Sequence, residues 1–206
     1  MTGAARRWVA SCLAACLSAG ALRAQDPRQA LSDARLDSIV RRVDSMTPRS
    51  GAPGTTVRLQ SRGMPHLTPL RIGVGAVRFG FEEVGQVMTD QRGAFSVDVV
   101  VPAWARRDLI HRFIVFDFYF VPIALSELFH VTDADGLVMR EGVLRRDGAQ
   151  CPSLRTDDGL VYGLTGDLDT LAAGTRVEVE GTLAEVAACA RELTLRVVNV
   201  RPTPGR

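Results

Sequence analysis

The chain has 206 residues, of which 46% are hydrophobic and 23% charged, with 19 Gly and 10 Pro. This composition is typical of a folded globular protein and excludes a disordered, a collagenous or a multi-span membrane chain. The 25 basic residues are all arginine, and against 23 acidic residues they give a net charge of +2. A nearly neutral chain lacks the basic surface that attracts nucleic acid or anionic membranes, so we expect no nucleic-acid partner.

The N-terminus has the pattern of an export signal. Arg6 and Arg7 precede an uncharged, apolar run over residues 8–22, which includes the small residues 19–21, and Ala24 follows shortly after it. A basic start, a short apolar run and small residues at a cleavage point predict a signal peptide over residues 1–24, cut after Ala24 or, as a second choice, after Ala21. The run is shorter than the roughly 20 apolar residues of a membrane-spanning helix. We therefore expect an exported protein, periplasmic or secreted, whose mature chain has no transmembrane segment.

Two alternative signals overlap this one. Residues 13–16 read LAAC, which is similar to a bacterial lipobox and would place a lipid anchor on Cys16. The residues after Cys16 stay apolar, which favours an ordinary signal peptide over a lipoprotein. Arg6 and Arg7 would also suit a twin-arginine signal, although the flanking residues fit that pattern poorly.

The cysteines favour a single disulfide. Removal of the signal peptide takes Cys12 and Cys16 away, which leaves Cys151 and Cys189 in the mature chain. Two cysteines in an oxidising compartment most simply form one bridge. A metal pair or a catalytic thiol is the alternative, but neither cysteine has a His or another Cys at ligand spacing, and no base is nearby in sequence.

One short amphipathic helix is predicted before the first domain, in the linker over residues 25–47. Apolar residues recur at helical spacing at Leu36, Ile39, Val40 and Val43, and Pro27 suits a first helical position. Charged residues occupy the other face. We expect this helix, over residues 27–46, to pack on the following domain or to act as a stalk.

From Thr47 onward the pattern is all-β. Short apolar or alternating runs are separated by Gly, Pro and Asp, as in β-sandwiches and β-barrels. The turn over residues 132–136 is the predicted domain boundary. The predicted strands are residues 56–59, 70–81, 94–101, 109–120, 123–131, 137–144, 160–164, 175–183 and 193–200.

The first domain, residues 48–132, resembles an IPT/TIG-type immunoglobulin-like domain. The resemblance is carried by SGAPGTTVRL at residues 50–59, similar to the "GxxGTxVxL" opening of such domains, and by TDQRGAFSVDVVVP at residues 89–102. Gly54 and Gly93 suit tight turns, and Phe95, Val97 and Val99 alternate onto one strand face. The resemblance implies an immunoglobulin-like β-sandwich.

The second domain, residues 137–201, resembles an uncharacterised family of secreted bacterial OB-type barrels. The resemblance is carried by GVL at residues 142–144, CP at 151–152, DDG at 157–159, YGLTG at 162–166 and GTRVEVEGT at 174–182. In the last of these, Val177 and Val179 are expected to point inward and Arg176, Glu178 and Glu180 outward. The resemblance implies a small OB-like β-barrel that binds or supports other molecules.

No motif points to catalysis. The histidines His66, His111 and His130 are far apart, and there is no nucleophile elbow, phosphate loop or dinucleotide fingerprint. The DADG turn at residues 133–136 resembles a calcium loop but lacks its further ligands. We therefore predict no catalytic residue, no metal site and no cofactor, and interpret the protein as not an enzyme.

The most unusual segment is the aromatic run HRFIVFDFYF at residues 111–120. If it is one strand, Ile114, Phe116, Phe118 and Phe120 share a face that we expect in the sandwich core. The opposite face, which carries Asp117 and Tyr119, is expected to be covered by the helix, the barrel or a partner. A buried lone carboxylate is costly, so Asp117 should pair with an arginine.

These observations predict an exported, non-enzymatic binding or scaffolding protein of the bacterial cell envelope, whose ligand is an envelope glycan or protein. The candidate binding surface is Asp117, Tyr119 and Tyr162, near the groove between the domains. The alternatives are an OB-type oligonucleotide binder and a hydrolase whose site is scattered in sequence. The oligonucleotide reading is disfavoured because Tyr162 is the only aromatic residue of the barrel segment.

Overall fold

The described part of the protein, in a computed structural model, is built from β-strands. It comprises residues 38–76, 80–146, 151–168, 171–184, 189 and 193–204, and no helix occurs among them. The all-β fold class is thereby confirmed. The predicted signal peptide, Cys16 with its alternative lipid anchor, and the linker up to residue 37 lie outside the described residues.

Two sheets form a β-sandwich. One has the order β1-β3-β6 and the other β2-β8-β7-β4-β5. Their strands are β1 (Ser45–Thr47), β2 (Ser50–Gly51), β3 (Thr56–Ser61), β4 (Pro69–Ala76), β5 (Gly80–Met88), β6 (Phe95–Val100), β7 (Ile110–Phe116) and β8 (Pro122–Val131).

The sandwich core follows from the alternation along its strands. Val57 and Leu59 of β3 point inward while Arg58 faces solvent and forms an ion pair with Asp98 of β6. Across the core, Phe113 of the second sheet belongs to the same buried cluster and meets the Phe129 ring edge-on at 5.5 Å. Such burial of alternate apolar residues is the main force that holds two sheets face to face.

Five later strands close into a barrel. They are β9 (Val138–Arg145), β10 (Ser153–Thr156), β11 (Val161–Thr165), β12 (Arg176–Leu183) and β13 (Thr194–Pro202). Around the barrel the order is β9-β10-β11-β13-β12, and only the β11–β13 pair is parallel among the described barrel strands. Val177 and Val179 lie in the barrel core, as the alternation predicted.

The predicted helix is wrong where the structure describes it. Residues 38–44 contain no helix: Arg42 forms an isolated β-bridge with Leu125, and β1 begins at Ser45. The N–H of Leu125 on β8 donates to the carbonyl of Arg41 at 3.2 Å, and the N–H of Val43 donates to the carbonyl of Leu125 at 2.8 Å. A free strand edge offers hydrogen bonds that a short helix cannot supply, and this tertiary pairing outweighs the helical spacing of the apolar residues.

The two faces of the aromatic strand are the reverse of the prediction. Phe113 and Val115 lie in the sandwich core, whereas Ile114 and Phe116 pack outside it with Ile39, Phe81 and Leu125. The strand also ends at Phe116, so that residues 117–121 form a turn. Both faces of this strand are apolar, and alternation alone therefore does not show which one faces the core.

Within the part of the chain that the structure describes, Asp117 does not have the arginine partner that we expected. Its carboxylate accepts hydrogen bonds from the backbone N–H groups of Tyr119 and Val121, at 2.9 and 2.8 Å. Because β7 has already ended, the carboxylate sits in a turn, where a short acidic side chain commonly bonds to the next backbone N–H groups.

Cys151 and Cys189 form the predicted disulfide, with their Cα atoms 5.6 Å apart. Cys189 is buried against β11, and its Sγ faces the carbonyl of Leu164. A Cβ atom on Gly163 would come within 2.8 Å of the Cys189 Cβ, so glycine leaves the room that the bridge needs.

We expect the disulfide to contribute about 2–4 kcal/mol to stability, because it closes a loop spanning 38 positions of the unfolded chain. Urea denaturation of the oxidised protein and of the C151S/C189S variant measures this difference. Dithiothreitol should destabilise the wild type to the same extent and leave the variant unchanged. Equal stability of the oxidised wild type and the variant contradicts the expectation.

Candidate functional site

Arg140 of β9 is the centre of the junction between the sandwich and the barrel. Its side chain is only 2% exposed. The guanidinium donates to the carbonyls of Arg107 and Leu109, at 2.6 and 3.3 Å, in the segment that leads into β7. It also donates through Nε to the hydroxyl of Tyr162 on β11, at 3.1 Å. One buried cation thus ties two barrel strands to the sandwich.

Tyr162 continues this network to the sandwich. Its hydroxyl lies 3.0 Å from Nε2 of His130, near the end of β8. Because the oxygen already accepts from Arg140, its single proton is available for Nε2, and His130 then accepts as a neutral ring. Burial raises the pKa of Tyr162, although the nearby Arg140 acts in the opposite direction.

Both junction histidines are held uncharged. Burial lowers the pKa of His130 to about 3, and the charge of Arg140 acts in the same direction. Burial also lowers the pKa of His111 to about 4, with partial compensation from the backbone of Leu109. Within the described residues neither ring nitrogen of His111 has a hydrogen-bond partner of regular geometry, and its ring packs 5.7 Å from that of Trp104.

Arg107 adds a second, more exposed connection. Its guanidinium pairs with Asp133 in the turn between the domains, at 2.9 Å, and with Glu180 of β12, at 2.8 Å. Its carbonyl accepts from Arg140, as described above. Arg107 and Arg140 therefore link the segment before β7 to the barrel through both side chain and backbone.

A cleft of about 360 Å³ opens beside this junction. Arg140 lies in its wall, and most of the other polar groups are carboxylates. The lining residues that the structure describes are Asp108, Leu109, Met139, Arg140, Glu141, Thr156, Asp157, Asp158 and Glu178.

The carboxylates of the cleft are held by arginines on its rim. Arg176 pairs with Glu141, at 2.8 Å, and with Asp157, and these contacts raise the pKa of its guanidinium. Arg201 pairs with Glu178. Asp157 keeps 66% of its side chain exposed. The arrangement fixes acceptor oxygens around an open space.

The three residues of the predicted binding surface do not come together. Tyr162 is fully buried at the junction. Asp117 and Tyr119 lie in the β7–β8 turn, at the other end of the sandwich, and Tyr119 is 82% exposed. Since β8 connects the two places, they are roughly 25 Å apart along that strand. The cleft and the turn are therefore separate surfaces.

The sequence interpretation missed Arg140 and treated His111 and His130 as ordinary loop or strand residues. One signal was present for Arg140, which shares a strand face with Val138 and Leu144. A charged residue at an inward position of a barrel strand indicates a buried ion with specific partners. No comparable signal marks the histidines, whose burial depends on how the sandwich meets the barrel.

The described residues contain neither a metal-binding cluster nor a membrane-spanning helix. No group of three or more His, Cys, Asp or Glu side chains is placed to hold a metal ion. In the same part of the chain, no helix has the length and the apolar character that crossing a membrane requires.

Comparison with known families gives one match, and it falls on the barrel. Residues 141–203 match the model of a family described as "Protein of unknown function (DUF5818)". The matched span begins inside β9 and ends one residue after β13, so it covers the barrel and its disulfide but not the sandwich. No curated protein matches the chain at a significant level.

Proposed function

We propose that this chain is an exported, non-enzymatic binding or scaffolding protein of the bacterial cell envelope, which holds its ligand in the cleft beside the junction. The observation that carries the proposal is the cleft of about 360 Å³ with its fixed carboxylates and buried Arg140. A concave site with a few held polar groups is the usual form of a ligand site. The disulfide is compatible with export.

The charge of the cleft selects the class of ligand. Carboxylates accept hydrogen bonds and attract cations, which suits the hydroxyl and amino groups of a glycan or a basic segment of an envelope protein. The same carboxylates repel phosphate, so the oligonucleotide alternative is disfavoured. Asp157, whose side chain is 66% exposed, and its neighbour Asp158 are expected to contact the ligand first.

The architecture supports the two resemblances on which this proposal partly depends. The barrel is a small five-stranded one that closes with a parallel β11–β13 pair, an arrangement compatible with an OB-type barrel. The two-sheet sandwich is compatible with an IPT/TIG-type domain, and Gly54 and Gly93 occupy turns with φ of +90° and +72°.

The test is a calorimetric titration of the full chain with three probes: soluble glycan-strand fragments of peptidoglycan, a short arginine-rich peptide and a single-stranded oligonucleotide. We expect the glycan or the peptide to bind, and the D157N/D158N variant to bind it on the order of tenfold more weakly, since each lost charge-assisted bond is worth roughly 1 kcal/mol or more.

The matched control is D98N, which removes an exposed carboxylate from the sandwich, far from the cleft, and should bind like the wild type. Equal affinity of D157N/D158N and the wild type contradicts the proposed site. Binding of the oligonucleotide with a steep salt dependence supports the alternative function, and failure of all three probes at millimolar concentration contradicts the proposal.

A further inference from the structure

The end of the sandwich that lies away from the barrel exposes a group of large apolar side chains. Four of them follow one another in the β7–β8 turn, at residues 118–121. Phe118 is 58% exposed, Tyr119 is more exposed still, and Val121 and Phe120 are also open to solvent. Monomeric soluble proteins seldom leave such contiguous apolar surface uncovered without a binding role.

The strand register brings two more apolar residues to the same end. Arg71 of β4 pairs with Phe116 on one side and with Gln86 of β5 on the other. Two residues further toward this end, Pro69 pairs with Met88, which is 61% exposed. Leu67 lies two residues before the start of β4 and is 64% exposed. We call this surface, formed by Leu67, Met88 and residues 118–121, the apolar end.

The turn at the apolar end is held in a fixed shape. The carboxylate of Asp117 accepts two backbone hydrogen bonds, and its own N–H donates to the carbonyl of Val121 at 3.0 Å. Phe120 adopts a φ of +60°, which is unfavourable for a bulky residue and persists only where the surroundings impose it. The aromatic side chains are thus presented to solvent by a rigid turn.

A cation lies beneath the aromatic rings. The guanidinium of Arg71 lies 4.6 Å from the ring centre of Phe120 and 5.4 Å from that of Phe118. The same guanidinium pairs with Glu83 at 2.8 Å, so the local charge is balanced. An aromatic surface without net positive charge suits a partner that is recognised by apolar burial more than by ion pairing.

The chain path places the preceding residues at the same end. Arg42 bridges to Leu125 in parallel with β8, so the segment that begins at Ser38 starts beside the β7–β8 turn and runs toward the barrel. The chain therefore enters the described fold at the apolar end, where Ser38 is the first described residue. A lipid anchor on Cys16, the alternative to cleavage after Ala24, would bring this end of the sandwich to the membrane first.

We propose that the apolar end is a membrane-contact surface, which seats residues 118–121 in the headgroup region of a lipid bilayer. Aromatic side chains with one apolar and one polar edge, such as Tyr119, favour that region. The partner of the apolar end is the lipid surface itself. The apolar side chains lie on a turn and on its neighbouring strand ends, and such a protruding surface can enter the headgroup region. The cleft beside Arg140 then faces away from the membrane, toward the envelope space.

The test uses flotation of the chain from Gln25 onward, which lacks the apolar signal segment, with vesicles of phosphatidylcholine alone and, in parallel, of phosphatidylethanolamine with phosphatidylglycerol. We expect the F118S/Y119S variant to partition on the order of tenfold less than the wild type on both vesicles, because two aromatic side chains no longer bury apolar area. The V198S variant is the control, since it removes an exposed apolar residue from the barrel. Added salt should change the wild-type partition little.

Hydrogen-exchange mass spectrometry with vesicles locates the contact. Protection of a peptide that covers residues 117–122, without protection of the barrel, supports the proposal. Equal partition of F118S/Y119S and the wild type, or protection confined to other segments, overturns it. A dimer that forms without lipid and is lost in F118S/Y119S also overturns it, because a second copy of the chain then covers this surface.

Discussion

At pH 5 we expect the free energy of unfolding to be roughly 4 kcal/mol lower than at pH 7, because two buried histidines resist protonation only in the folded state. The pKa of His111 is lowered to about 4 and that of His130 to about 3. Both rings are almost fully buried, so solvent does not screen this effect. The loss is large compared with the total stability of an ordinary domain.

The direction of the effect follows from the pH at which the unfolded and the folded protein take up protons. The unfolded chain protonates its histidines near pH 6.5, whereas the folded protein leaves both of these neutral until the pH approaches 4 or 3. Their stabilising contribution is therefore complete above about pH 6.5 and is lost as the pH falls, by about 1.4 kcal/mol per histidine and pH unit. Between pH 7 and pH 5 the titration of carboxyl groups, which is centred near pH 4, contributes less.

The H111F variant tests this assignment. The His111 ring is buried beside Trp104 without a regular hydrogen bond among the described residues, so a phenylalanine of similar shape should preserve stability at pH 7. At pH 5 we expect H111F to be roughly 2 kcal/mol more stable than the wild type. Urea denaturation at both pH values measures the difference, and H66F, a change at an exposed loop position, is the control.

Two results contradict the assignment. If H111F loses stability at pH 7, the His111 ring forms a stabilising hydrogen bond, and the backbone of Leu109 is the expected partner. If wild type and H111F lose the same stability between pH 7 and pH 5, His111 does not contribute to the acid sensitivity.

Local patterns in the sequence predicted much of the fold. The alternation of apolar and polar residues in residues 94–101 and 175–183 matches β6 and β12, whose inward residues fill the two cores. The pairing of Cys151 with Cys189 followed from the small number of cysteines in the mature chain. Such patterns are informative because each strand has one face toward a core and one toward solvent.

The prediction failed where distant segments decide the structure. Ile39 and Val43 have helical spacing, yet the free edge of β8 makes their segment extended. The strand β10 (Ser153–Thr156) was missed because its four residues show too little alternation to recognise. From the sequence we expected a groove between the domains but could not name the residues that line the cleft. These residues come from separate elements, which meet only where the sandwich contacts the barrel.

We expect the R140M variant to lose about 3–5 kcal/mol of stability, which is the usual cost of removing one partner from a buried polar network. Methionine fills a similar volume but cannot donate to the carbonyls of Arg107 and Leu109 or to the hydroxyl of Tyr162. Each of these acceptors would lose a buried hydrogen bond from a charged donor, and each such loss costs roughly 1–3 kcal/mol. Urea denaturation at pH 7 measures the loss.

The matched control is R58M, which removes an arginine from the exposed ion pair with Asp98 on the sandwich and should cost less than about 1 kcal/mol. R140M should also reduce the acid sensitivity of the protein, because the charge of Arg140 helps to keep His130 and His111 unprotonated. A variant as stable as the wild type would mean that the barrel and the sandwich do not depend on Arg140 for their contact. If R140M loses stability but keeps the acid sensitivity of the wild type, Arg140 stabilises the junction through its hydrogen bonds and does not control the protonation of the histidines.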